Sequence, residues 1–97
     1  MEYIIYLTNK KISLPSRGYF TRGDKGESIA IISSFLACNF MGYESILGVD
    51  INDMLGEIFG INLQSWIIHF QRSNGLEPDG NIGPITLDKL RQYGLNA

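Results

Sequence analysis

Phe70-Gln71-Arg72-Ser73-Asn74-Gly75-Leu76-Glu77-Pro78-Asp79-Gly80-Asn81-Ile82-Gly83-Pro84-Ile85-Thr86 reads as the end of one helix, a tight loop and the start of another. Gly75 stands where a helix terminus wants positive φ. Asp79-Gly80 is a strong turn pair: a short acceptor side chain followed by the residue that tolerates left-handed φ. Gly83 offers an open N-cap, and Pro84 brings the fixed φ of a first helical turn.

Working outward, Leu63, Trp66, Ile67 and Phe70 follow the i, i+3, i+4, i+7 rule and predict a helix over 61–73. A helix over 84–93 is expected to turn Ile85, Leu87 and Leu90 inward. Asp88 lies near its start, Arg91 lies near its end where the dipole favours a cation, and Gly94 stops it. Upstream, Gly23-Asp24-Lys25-Gly26-Glu27 opens a helix over 25–40, with Asp24 as the expected N-cap and Glu27 placed as in a capping box. Ile29, Ile32 and Leu36 form one apolar stripe and Ile31, Phe35 and Cys38 a second, so this helix is central in the core or faces a partner. Residues 39–56 read as loop with one short helical turn over 52–55. Phe59-Gly60 before the second helix echoes Ile82-Gly83 before the third, which suggests two loop-helix units of similar build. At the other end, Glu2 to Leu7, rich in Tyr and Ile with both alternating faces apolar, reads as a short strand. Pro15 and Gly18 make 14–18 linker-like.

The 97 residues suffice for one domain, and 44% hydrophobic content supplies a core without staples. A net charge of −2 argues against a duplex-DNA binder, which needs a basic face to displace counterions, and gives no polybasic lever on anionic membranes. The single cysteine, Cys38, rules out an internal disulfide and reads as a small hydrophobe inside an apolar run. No segment reaches the roughly 20 apolar residues of a membrane span. The first residues lack the basic start and cleavage site of a signal peptide, so a target outside the cell implies release by lysis or export with a partner.

The pattern from Phe70-Gln71 through Gly75-Leu76, Asp79-Gly80, Ile82-Gly83-Pro84 and Thr86 resembles the small three-helix peptidoglycan-binding domains of bacterial and phage cell-wall hydrolases. Gly23-Asp24-Lys25-Gly26-Glu27-Ser28-Ile29 is similar to the opening motif of that family. The Leu-Gln pair of the family is Ile32-Ser33 here. In the middle motif Phe59-Gly60 and Phe70-Gln71 match, whereas the Asp-Gly pair becomes Gly56-Glu57 and the threonine becomes Leu63. The resemblance spans about 19–94 and implies a compact three-helix domain; with the internal loop-helix pseudo-repeat and the short N-terminal strand read from the residues themselves, the expected fold is a mainly α, compact three-helix bundle plus that strand, residues 1–13 having no place in the family pattern. It divides the chain into an extension (1–13), a linker-like segment (14–22) and the helical domain (23–97). Glycines, Asp-Gly turns and Phe-Gln shape loops and core, so they describe the scaffold more than the ligand groove.

Catalytic chemistry finds little footing. His69 is the only histidine, so a metal site lacks ligands at the required spacing, and no spacing brings it to Cys38 or a serine as a triad. Glu27, Glu57 and Asp79 sit at turns or helix starts, where capping explains them without glycoside hydrolysis. Asp50-Ile51-Asn52-Asp53 lacks the later ligands of a calcium loop. No catalytic residue, metal or cofactor is implied. Trp66 has the face of a sugar platform but lies on the core stripe; Tyr19, Tyr43 and Tyr93 lie outside the clearest stripes and are better stacking candidates. Arg22 and Arg72 flank the loops, either as partners of a stem-peptide carboxylate or as solvated charges. The candidate ligand-binding set is therefore Arg22, Tyr43, Arg72, Asp79, Asn81 and Tyr93.

The resemblance implies a non-catalytic module that binds peptidoglycan, glycan and stem peptide, and targets a hydrolase such as a phage endolysin. As a separate chain it needs an enzyme to join, and Tyr3-Ile4-Ile5-Tyr6-Leu7 offers a segment for self-association or for pairing with a full-length lysin by strand addition. The alternative is a protein-protein adaptor or regulator on the same scaffold. Neither nucleic-acid binding nor membrane insertion is expected.

Overall fold

The computed structural model describes residues 12–95. Among them lie five helices: α1 Glu27–Asn39, α2 Gly42–Leu47, α3 Ile51–Met54, α4 Ile61–Ser73 and α5 Pro84–Gln92. The chain is mainly helical. Among the described residues extended pairing is limited to two isolated antiparallel bridges, Phe20 with Ile82 and Lys25 with Ile58. The strand expected at 2–7 lies outside the described residues.

Helix α1 is the centre of the core. Every residue from Ile29 to Ala37 is buried, including Ser33 and Ser34. Two apolar stripes on one helix leave no face for water, and packing all round is the result. Helix α4 adds Leu63, Trp66, Ile67 and Phe70, as its periodicity requires, and α5 adds Leu87 and Leu90.

Four expectations need correction. Residues 39–56 hold two short helices rather than a loop with one turn. Gly48 closes α2 in the left-handed conformation (φ 68°), and the Asp50 side chain starts α3 by accepting from Asn52 N–H at 2.8 Å. Asp24 is not the cap of α1. Its carboxylate accepts from Thr21 N–H at 2.9 Å and pairs with Arg17, and the chain stays extended through Lys25 before Gly26, at φ 131°, turns it into the helix. Ile85 does not face inward: it is 71% exposed, because Thr86 and Leu87 take the inward positions of the first turn of α5. Tyr43, expected outside the apolar stripes, is only 8% exposed.

The echo between the two loop-helix units is physical. Phe59 and Ile82 are both fully buried plugs. Gly60 (φ −100°, ψ −172°) and Gly83 (φ −95°, ψ −169°) then cap α4 and α5 in nearly identical conformations. One stretch of backbone straps both units. Phe20 and Ile82 exchange two hydrogen bonds of 2.9 Å. Gly23 N–H donates to Phe59 O, Phe59 N–H to Asp24 O, and Gly26 N–H to Glu57 O, all within 2.9 Å. The residues ahead of α1 therefore fix the loops ahead of both α4 and α5.

Candidate functional site

The loop between α4 and α5 is built around one buried side chain. Gln71, on the inner face of the last turn of α4, is 1% exposed. Its Oε1 accepts from Gly80 N–H at 3.0 Å. Its Nε2 lies 3.0 Å from Asp79 Oδ1, 2.9 Å from Asn81 O and 3.1 Å from Thr86 Oγ1, so two amide protons serve three acceptors. Asp79 Oδ1 also accepts from Asn81 N–H at 2.9 Å, closing an Asx turn over Gly80, whose φ of 78° needs glycine. Asn81 Oδ1 in turn accepts from the Thr21 hydroxyl at 2.7 Å, which ties the loop to the strap. A mobile-looking Gly/Pro/Asp sequence is thus held from beneath by a saturated polar network.

The outer surface of this loop and the first turn of α5 enclose a cleft of about 190 Å³, lined by Leu76, Glu77, Asp79, Asn81, Gly83, Pro84, Ile85 and Thr86. Leu76, Pro84 and Ile85 make apolar walls, and Glu77 and Asp79 supply carboxylates. The exposed Tyr19 is close by, its Cβ 3.9 Å from where a Cβ on Gly83 would lie, with the Arg17 guanidinium 5.5 Å above its ring.

Of the six candidate residues, Asp79 and Asn81 are brought together in this cleft. Arg22 and Arg72 are exposed, line no part of it and form no ion pair among the described residues. Tyr43 is a core residue. Its ring packs against His69 (4.5 Å, edge-on), Phe40 (5.1 Å) and Trp66 (5.5 Å), so no face is left for a sugar. Burial pushes its phenol above the usual tyrosine range, against a hydrogen bond with Ser73 that pulls it down, and the nearby Tyr93 adds to the rise. Tyr93 is 48% exposed, with its hydroxyl donating to Asn74 Oδ1 at 2.8 Å and its ring edge-on to Phe40 and Phe70. It is available to a ligand but does not line the cleft. Trp66 is fully buried, which removes it as a sugar platform.

Sequence reasoning places Phe70-Gln71 in the scaffold, and it overlooks that Gln71 sets the geometry of the cleft. The signal was present in the pairing of a helical glutamine with an Asp-Gly turn eight residues on. The departure at Ser33 also finds its explanation. Where the resembling family carries glutamine, the buried Ser33 Oγ lies 3.2 Å from both N and O of Gly56, accepting from the N–H. It holds the loop before α4 as Gln71 holds the loop before α5, with a shorter arm.

Among the described residues no cluster of three His, Cys, Asp or Glu side chains has metal-binding geometry, and no helix is long and apolar enough to cross a membrane.

Comparison with known proteins adds one result. The family model of the peptidoglycan binding domain matches residues 36–90, which include Phe59-Gly60, Phe70-Gln71 and the whole cleft. No curated protein and no solved structure matches the chain. The matched segment is more than half of the sequence and contains both loop-helix units, and the chain belongs to the peptidoglycan binding domain family.

Proposed function

We propose that this chain is a non-catalytic module that binds peptidoglycan and brings a hydrolase, such as a phage endolysin, to the bacterial wall. The observation that carries the reading is the match over residues 36–90, within which Gln71 holds a preformed surface cleft. A shallow cleft of this size binds weakly on its own. Repeated sites on one wall lattice offset that weakness by raising effective concentration. Retention of the purified chain on isolated sacculi tests the proposal. Binding to walls of at least one peptidoglycan type is expected, and passage unretained over all of them would remove the reading.

A protein-docking adaptor on the same scaffold is the second reading. It is favoured by the exposed Met41 and Ile46 beside and on α2 and by the exposed Ile58 and Ile61 around the start of α4. Substituting Met41 and Ile46 by serine leaves wall retention unchanged if peptidoglycan is the ligand.

A further inference from the structure

The wall-binding reading leaves open which part of peptidoglycan enters the cleft. Its polymer offers anionic groups, neutral sugars and, on stem peptides, the primary amine of a diamino acid. That amine is a free ammonium where the stem is not cross-linked and part of an uncharged amide where it is.

The charge at the cleft distinguishes among these. Glu77 and Asp79 line it, and none of the eight lining residues is basic. The N-terminus of α5 opens into the same space and brings a partial positive charge of roughly half a unit. Two carboxylates outweigh it, so the cleft is net negative and repels a stem carboxylate. Arg22 and Arg72, the residues fitted to such a carboxylate, lie elsewhere. The walls favour a particular cation. Leu76, Pro84 and Ile85 are apolar, and Ile85 is held open to solvent at the rim. A short aliphatic chain covers such walls while its terminal charge reaches the carboxylates. Asp79 is suited to receive it: Oδ1 is occupied by Gln71 Nε2 and Asn81 N–H, which fixes the carboxylate plane, and Oδ2 has no partner among the described residues. A fixed acceptor loses little freedom on binding.

We propose that the Leu76–Thr86 cleft takes a primary alkylammonium, the free amine of the stem-peptide diamino acid, and so distinguishes open stems from cross-linked ones. This rests on the wall-binding reading. Growing or partly digested wall, rich in free amines, binds more of the chain than mature cross-linked wall.

The test compares retention on native sacculi with retention on the same sacculi after acetylation of their free amines, for the wild-type chain and for Glu77→Gln. A charge-assisted hydrogen bond lost from the cleft lowers affinity about tenfold. Acetylation is expected to weaken wild-type binding by that factor. Glu77→Gln, which keeps shape and removes one charge, is expected to weaken binding to native sacculi and to flatten the difference between the two walls. Equal retention of the wild type on both walls overturns this proposal and leaves the wall-binding reading standing. Absence of retention on native and acetylated sacculi alike, for every wall type tried, overturns both.

Discussion

Gln71 Nε2 donates to Asp79 Oδ1 at 3.0 Å, so a side chain sealed inside the last turn of α4 fixes a carboxylate at the protein surface. Interior and cleft are thereby one structure, and damage to the first is felt in the second. Gln71→Met keeps the volume and removes every bond. It leaves the buried Gly80 N–H and the carbonyl of Asn81 without their partner, at about 1–3 kcal/mol for each buried group. A loss of about 2–4 kcal/mol in urea unfolding is expected. A change below about 0.5 kcal/mol would mean that water replaces the amide and that the network is not structural.

Gly80→Ala combines two effects that can be separated. The left-handed φ of 78° costs about 1 kcal/mol for an alanine. The new Cβ also meets Gln64 Cγ at 2.9 Å, a contact that the side chain must yield. In a Gln64→Ala background only the backbone part remains. The two substitutions should therefore couple favourably in a double-mutant cycle, by a few tenths of a kcal/mol or more. Strict additivity would show that Gln64 swings away freely.

Asp24 gives the protein an acid-sensitive component. The Thr21 N–H, the largest influence, and the Arg17 guanidinium hold its carboxyl below the usual carboxylate range, against partial burial that raises it. The unfolded chain then binds this proton more readily than the folded one. The resulting stability is present above about pH 4, where an unfolded aspartate is ionised, and is lost as pH falls through the lowered folded value. Asp24→Asn removes the component. The stability difference between wild type and variant is expected to hold level from pH 6 to about pH 5 and to shrink as pH falls below about 4. A difference independent of pH would assign the role of Asp24 to shape alone.

Ile85 separates stability from binding. At 71% exposed, its change to serine should shift unfolding by no more than about 0.5 kcal/mol, whereas Leu87→Ala on the inner face of the same turn should cost about 2–4 kcal/mol. Retention on sacculi is expected to fall for Ile85→Ser at unchanged stability. Equal destabilisation by the two variants would place Ile85 in the core after all.

What the sequence made legible is the punctuation. Gly75, Asp79-Gly80, Gly83 and Pro84 each impose a local backbone geometry that no tertiary contact needs to supply, and each sits where its chemistry places it. The 13-residue helix α4 was legible from periodicity, since one apolar stripe determines both its limits and its inner face. The helix α2 was hidden because its six residues are too few for a period and its N-cap makes no side-chain bond. Tyr43 was misjudged for the same reason: without α2, nothing on the sequence says that it lies over Trp66 and His69. Ile85 shows the limit of periodicity, because the Gln71 network claims Thr86 for the interior and turns its neighbour outward. The cleft was half legible. Asp79 is legible as the acceptor of an Asp-Gly turn and Asn81 only as a member of the candidate set beside it, whereas a role for Arg22 and Arg72 depends on where the loops point, which spacing does not state.

The strap has a consequence for how the cleft comes into being. Thr21 and Asn81 are separated by 60 positions along the chain and by 2.7 Å in space. A contact of that reach closes a large loop, so its formation carries a loop-closure entropy cost that the rest of the fold must offset. A single nick between Arg17 and Gly26 is expected to loosen the loops ahead of α4 and α5 without touching any residue that lines the cleft. The span bearing the family signature is accordingly shorter than the piece of polypeptide that has to remain intact.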